Sequence, residues 1–341
     1  MHIPDGYLSP GTYVSFYAVM IPLWYKATKV LKNAFKAKHA SYLALCAAFT
    51  FVVQMFNIPT PGGSSGHIVG GAIAAILLGP WAALLAISVV MIIQALLFGD
   101  GGITAIAANC FNMAVVMPFS AYYVYKIVGS GSEPSSPRRI FAAGVAGYLS
   151  LNLAAVLTAV EFGIQPLIAH SPDGTPLYAP YPLSVAVPVM AAEHLLLFGV
   201  IEAVVTGMVL AYVARKEPSL LRSSEPDSLQ AEVTVASKPY RLWIGIGALV
   251  VLTPLGLIAS GSAWGEWTAE ELKTLIGFTP AKLKQLEGMW PGLMSNYNMT
   301  GWDSPMMSAF GYILAAAAGV SAIATVSFIV SRFISAGKRP G

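Results

Sequence analysis

The sequence predicts an all-α integral membrane protein, a polytopic helical bundle of about nine transmembrane segments with its N-terminus outside and its C-terminus inside. Three observations carry that expectation. Hydrophobic residues make up 56% of the 341 and charged residues only 10%, whereas a soluble domain carries about 25% charged residues. Apolar runs recur at close to the roughly 20 residues a helix needs to cross a bilayer. The basic residues collect on one side when those runs alternate across the membrane.

The runs cover about 11–31, 41–57, 81–99, 103–127, 139–163, 184–214, 241–259 and 308–335. A shorter stretch, 67–79, closes at Gly79-Pro80 and predicts a short or half-spanning helix. Seven segments precede residue 215 and two follow residue 240. With the N-terminus outside, Lys26, Lys29, Lys32, Lys36, Lys38, Lys126, Arg138 and Arg139 fall inside. So do Arg215, Lys216, Arg222, Lys238, Arg241, Arg332, Lys338 and Arg339. Only Lys273, Lys282 and Lys284 stay outside, all in one long loop. The net charge of +3 therefore reports topology, and no nucleic-acid partner is expected.

Residues 216–240 are polar and contain Pro218, Ser219, Ser223 and Pro226, the composition of a cytoplasmic linker. The linker divides a membrane domain, 1–215, from a two-segment module, 241–341, whose segments flank an outer loop, 260–307. That composition favours a fusion of two membrane parts over one continuous bundle. Cys46 and Cys110 lie within predicted spans and read as small hydrophobes, not as a disulfide or a thiolate metal site. The chain carries neither a GxxxxGK[ST] phosphate loop nor an HExxH zinc motif. ATP hydrolysis by the first and zinc proteolysis by the second are therefore excluded.

Chemistry concentrates at the start, Met1-His2-Ile3-Pro4-Asp5-Gly6. The amine of Met1, the backbone nitrogen of His2 and the His2 imidazole can close two adjacent chelate rings on one metal ion. Once the amide loses its proton, the three nitrogens lie nearly in a plane, which suits Ni(II) or Cu(II) better than Mg(II) or Ca(II). The scheme requires a free amine. No basic n-region precedes the first apolar stretch, which is long enough to span, so no cleaved signal is expected. The bulky His2 predicts that the initiator methionine stays.

A second nitrogen donor is expected on the same side. Ile58-Pro59-Thr60-Pro61-Gly62-Gly63-Ser64-Ser65-Gly66 is an outer connection rich in turn-forming residues and ends at His67. His67 has two open readings: the fourth nitrogen of a planar site, or a polar interfacial residue bonded to a carbonyl. His39 reads as interfacial, His170 as a solvated loop residue, and His194 lies inside a span. Glu161, Glu193 and Glu202 are costly intramembrane groups that need partners. Met294, Met299, Met306 and Met307 offer thioethers to soft ions, although packing is the commoner role of methionine.

The decapeptide Met1-His2-Ile3-Pro4-Asp5-Gly6-Tyr7-Leu8-Ser9-Pro10 closely resembles the start of the nickel/cobalt substrate-binding (S) components of energy-coupling-factor transporters. Gly62-Gly63-Ser64-Ser65-Gly66-His67 and the stretch from Gln94 to Asn112 are also similar. The resemblance covers about 1–215, and 241–335 looks like the small two-helix accessory subunit often fused to such components. It implies a planar metal site made of Met1, His2 and His67, with no catalytic residue and no resident cofactor, Ni2+ or Co2+ being the cargo. It also implies a membrane coupling (T) subunit, ATP-binding-cassette ATPase subunits and a prokaryotic cytoplasmic membrane. The function expected is capture and import of nickel, or of cobalt for cobalamin synthesis. Pro4-Asp5-Gly6 leans toward the nickel branch. Two other classes compete. An ion-gradient-driven permease would use Glu161, Glu193 or Glu202 as proton carriers, and a membrane metalloenzyme would need an open metal position and a nearby base.

Overall fold

The computed structural model describes residues 1–34, 37–61, 63–217, 221, 240–259 and 261–336. Helix follows the apolar runs. α1 (Pro10–Ala34) and α2 (Ala37–Gln54) open the bundle, and a two-stranded antiparallel ribbon, β1 (Ile58–Pro59) with β2 (Ser65–Gly66), follows. α3 (Gly71–Leu78) is the expected short helix, and its first six residues are all buried. It stops at Gly79, whose φ of 79° lets the chain turn into α4 (Pro80–Ile93) with Pro80 in the first helical turn. α5 (Ile106–Cys110), α6 (Met117–Val128), α7 (Pro137–Gly163), α8 (Gln165–Ile168), α9 (Leu183–Glu193) and α10 (Gly199–Lys216) complete the first part. α7 starts at an N-cap, where the Ser136 side chain accepts from the Arg139 amide ahead of Pro137.

The C-terminal part consists of α11 (Tyr240–Leu252), α12 (Ala269–Ile276), α13 (Ala281–Leu286) and α14 (Pro305–Ala336). α11 becomes a 3-10 turn over Thr253–Ile258, because Pro254 lacks the amide an α-helix would use. Within the outer loop, α12 opens with a reciprocal capping box between Thr268 and Glu271 and ends at Gly277 in the left-handed region. α14 lies along α2. Tyr312 donates to the Met55 carbonyl at 2.9 Å, and Gly319 leaves room for the Phe51 ring.

Among the described residues five helices are long and apolar enough to cross a membrane: Pro80–Phe98, Pro137–Ile168, Leu183–Lys216, Tyr240–Ile258 and Pro305–Ile334. Ala40–Gln54 is a shorter apolar helix. Among the described residues three helices contain a π turn, at Gln94–Phe98, Phe111–Val116 and His194–Phe198. Such turns are frequent at functional sites.

Several boundaries differ from the sequence expectation. The run 103–127 begins as helix only at Ile106, because Gly99 and Gly101, both at positive φ, shape a tight loop first. His67 does not start a helix. It precedes α3 by four residues, in a stretch without regular secondary structure. Most of the expected linker 216–240 lies outside the described residues, as do Lys36, Arg222, Lys238, Lys338 and Arg339.

Candidate metal centre

The first nine residues thread into one end of the bundle. Met1, His2, Ile3, Tyr7 and Leu8 are all buried. Pro4-Asp5-Gly6 supplies the turn the sequence predicts, with Gly6 at φ 85°. The strap is then pinned by polar contacts on both sides of that turn. Ile3 donates its amide to Asn109 Oδ1 at 2.8 Å, and its carbonyl accepts from Gly102 N at 2.8 Å and Asn109 Nδ2 at 3.2 Å. Asp5 accepts from the amides of Ile103 and Thr104 at 3.0 and 2.9 Å. Gly102 must be glycine, because a Cβ there would collide with the Asp5 amide. Ser9 N donates to Gln165 Oε1 at 2.9 Å. Burying Ile3, Tyr7 and Leu8 adds about 1.5–3 kcal/mol per side chain to this docking.

The strap places His2 against His67. Their rings lie 5.1 Å apart at 39°, and His2 Nδ1 is 3.2 Å from His67 Nε2. Their other nitrogens fix the tautomers. His67 Nδ1 donates to the Ile68 carbonyl at 3.0 Å, which leaves Nε2 with its lone pair. His2 Nε2 donates to Gln94 Oε1 at 3.3 Å, and the Gln94 amide NH2 donates to Tyr297 Oη at 3.2 Å, so the carboxamide orientation is consistent. The His2 lone pair is therefore on Nδ1, the nitrogen that can close a ring with its own backbone nitrogen. Two nitrogen donors at right angles on a metal, with bonds near 2.0 Å, would stand about 2.8 Å apart, close to the observed spacing.

Met1 N and the His2 amide are the other two nitrogens of the expected set. The Met1 ammonium is held by Glu266 Oε1 at 2.8 Å, and the His2 N–H has no acceptor among the described residues. Burial, then the neighbouring ammonium, pushes the His2 imidazole down to about 4. Burial, then His2 itself, pushes His67 down to about 3. Both rings are thus neutral, the form a metal takes. The described residues contain no cluster of three or more His, Cys, Asp or Glu side chains arranged to hold a metal by themselves.

Several neighbours went unassigned in the sequence. Gln94 stands at the head of a π turn and orients His2. Asp100 Oδ1 lies 3.2 Å from His2 Nδ1. Asn109 clamps Ile3. Gln54 approaches the His2 imidazole and is buried with neither amide atom bonded. Gln94, Asn109 and Gln54 were readable as polar interruptions of apolar runs, but their direction was not. Glu266 and Tyr297 arrive from loop 260–307, far along the chain, and no local signal announces them.

The remaining candidates resolve differently. Glu202 accepts from the amides of Val69 at 2.9 Å and Gly70 at 3.1 Å, and so holds the segment that follows His67. Glu161 is buried beside Asn112, and its Oε2 has no partner. Glu193 is half-buried at the end of α9. His194 Nδ1 donates to the Met190 carbonyl, and His170 is exposed and donates to the Ser171 carbonyl. The His39 side chain lies outside the described residues. Met299, Met306 and Met307 are exposed, while Met294 packs against the core and its amide donates to Leu97 O.

Fold and site together define a multi-pass helical membrane protein whose N-terminal strap meets a second histidine under the loop of a C-terminal helical module. The chain belongs to the family described as the cobalt uptake substrate-specific transmembrane region (CbiM), which matches residues 2–220, and residues 238–336 match a PDGLE domain. It is 46% identical over 338 residues to the fused nickel transport protein NikMN of Rhodobacter capsulatus, covering 95% of each chain. It is 40% identical over 328 residues to the probable fused nickel transport protein LarMN of Lactiplantibacillus plantarum, covering 94% of each. A crystal structure of a truncated transition metal transporter matches at 44% identity and a TM-score of 0.59, over 63% of this chain and 99% of that one. The chain is accordingly a transporter component and not an enzyme.

Proposed function

We propose that this protein captures Ni(II), or Co(II), through Met1 N, His2 N, His2 Nδ1 and His67 Nε2, and delivers it as the substrate-specific subunit of an ATP-driven energy-coupling-factor importer. The observation that supports this reading most directly is the facing pair His2 Nδ1 and His67 Nε2, 3.2 Å apart. The fused nickel transport proteins that align along almost the full chain support the cargo. Residues 1–215 would hold the metal, and 241–341 would be the accessory module joined by the linker 216–240. Nine spans with the N-terminus outside a prokaryotic cytoplasmic membrane would open the strap to arriving metal. ATP hydrolysis would sit in separate cassette subunits, reached through a membrane coupling subunit.

Capture exchanges protons for metal. The Met1 ammonium and the His2 amide each lose one, so affinity rises with pH. The carboxylate of Glu266 keeps the amine in place through that exchange. The test is to add one residue before Met1, or acetylate it, and titrate the purified protein with Ni(II) and Co(II). Capture should be lost, and unchanged affinity would remove the N-terminal chelate from consideration.

A second reading rests on Glu161, whose buried Oε2 has no partner: a gradient-driven permease with this carboxyl as proton carrier. Proteoliposomes holding this chain alone would then take up metal, and uptake would stop when the proton gradient is collapsed.

A further inference from the structure

Tyr297 belongs to the loop of the C-terminal module, yet it reaches the candidate metal centre. Asn296 and Tyr297 are the two non-glycine residues with positive φ among those described, at 52° and 58°. A bulky aromatic seldom adopts that conformation, and such strain collects where surrounding contacts over-determine the backbone. Here the contacts are specific. The Tyr297 ring stacks on Phe98 at 4.6 Å and 20°, and meets the Tyr312 ring edge-on at 5.7 Å. Its hydroxyl donates to Asp100 Oδ2 at 2.5 Å and accepts from Gln94 Nε2 at 3.2 Å.

Both of those partners touch His2. Gln94 Oε1 accepts from His2 Nε2, and Asp100 Oδ1 stands 3.2 Å from His2 Nδ1. Asp100 is thus a carboxylate within reach of any metal held by that nitrogen. Left free to rotate, it would bring both of its oxygens to that metal. Oxygen donors and six-coordination suit ions other than those that prefer a square plane of nitrogens. With Oδ2 tied to the phenol, the carboxylate turns only Oδ1 toward the site and does not close on a dication there with both oxygens.

Resting on the reading that Met1, His2 and His67 take the metal, we propose that Tyr297 is a specificity-determining positioning residue. It ties up Asp100 Oδ2 and thereby keeps the carboxylate from adding both oxygens to a four-nitrogen donor set. The accessory module thus acts on the choice of ion at capture, favouring Ni(II) over Co(II).

The test uses the full chain purified in detergent. Tyr297→Phe keeps the stacked ring and removes only the hydroxyl. Ni(II) and Co(II) affinities and the visible spectrum of the Ni(II) form are measured for wild type, Tyr297→Phe, Asp100→Asn and the double variant. The ratio of Ni(II) to Co(II) affinity should fall about tenfold or more in Tyr297→Phe, the scale on which outer partners of metal ligands act. The Ni(II) spectrum should move from a square-planar toward a six-coordinate signature. Asp100→Asn in the same chain should restore the planar spectrum, because the freed carboxylate is gone. An unchanged ratio and spectrum in Tyr297→Phe overturns the proposal, even if the unfolding midpoint drops. A six-coordinate spectrum that persists in the double variant overturns it too. The chain extended before Met1 separates the two levels. If extension abolishes binding while Tyr297→Phe behaves as wild type, this inference alone fails. If extension leaves Ni(II) affinity intact, the site reading fails and takes this inference with it.

Discussion

His2 Nδ1 and His67 Nε2 face each other across 3.2 Å, and their hydrogen-bond partners leave both atoms with lone pairs and neither with a proton. Two buried acceptors held this close repel one another until a cation sits between or beside them. Gln94 and the Ile68 carbonyl hold the rings in these tautomers, so the donor orientation exists before metal arrives and costs little on binding.

His67→Ala should therefore lower Ni(II) affinity by about a hundredfold or more, since even outer partners of metal ligands are worth about 10–100-fold. Competition against a chromophoric chelator would measure it. Affinity within a factor of two of wild type would assign His67 to its other reading, a polar residue satisfied by the Ile68 carbonyl.

The strap gives a second prediction. Asn109 satisfies both the amide and the carbonyl of Ile3, and it is the buried group that fixes how far Met1 and His2 reach in. Asn109→Ala leaves the Ile3 amide without its acceptor, a loss of about 1–3 kcal/mol. Metal affinity should fall by about tenfold or more. Hydrogen exchange at Gly102 N, which donates to Ile3 O, should accelerate at the same time. Weaker binding without faster exchange would mean that Asn109 acts some other way.

Much of this was legible in the sequence, for identifiable reasons. Hydropathy gives the helices because every backbone polar group in a bilayer must be satisfied within its own segment. The meeting of His2 with His67 was legible because a Gly- and Pro-rich connection carries His67 to the side on which the N-terminus is expected. Chain neighbourhood says nothing about Gln94, Asp100 and Asn109, which converge on the strap from a π turn and the tight loop after it. Nor does it reveal Glu266 and Tyr297, whose positions depend on how α14 packs along α2. His67 was expected at a helix start because 67–79 is uniformly apolar. The structure instead begins α3 at Gly71, after Gly70 at φ 72°, and Glu202 holds the Val69 and Gly70 amides in place of the preceding helical turn.

Glu202 consequently separates two roles. As an anchor of the segment after His67, it should tolerate Glu202→Gln poorly, because one acceptor oxygen is replaced by a donor that faces the Gly70 amide even with the remaining oxygen at the Oε2 position. The expected outcome is a loss of about 1–3 kcal/mol of stability together with weaker Ni(II) binding. As a proton carrier it would behave differently: Glu202→Gln would bind metal as wild type and fail only in uptake. Binding and uptake measured on the same variant decide between them.

The pH dependence of the metal-free protein follows from the two imidazoles. His2 is pushed down to about 4 and His67 to about 3, whereas a released strap would expose histidines that take protons near pH 6.5. A base with a depressed folded-state pKa contributes its stability in full above the unfolded value. That contribution shrinks as pH falls from there toward the folded value. The docked strap should therefore be stable above about pH 6.5 and weaken progressively between about pH 6.5 and 4, as up to two protons are taken up on release. Protection of the Gly102 amide, followed from pH 8 to pH 5, should stay level to about 6.5 and then decline. In His67→Ala the decline should be shallower by about one proton, because only His2 still titrates on release. An identical slope in the two proteins would show that strap release exposes no neutral His67, and that the facing pair is not what acid breaks.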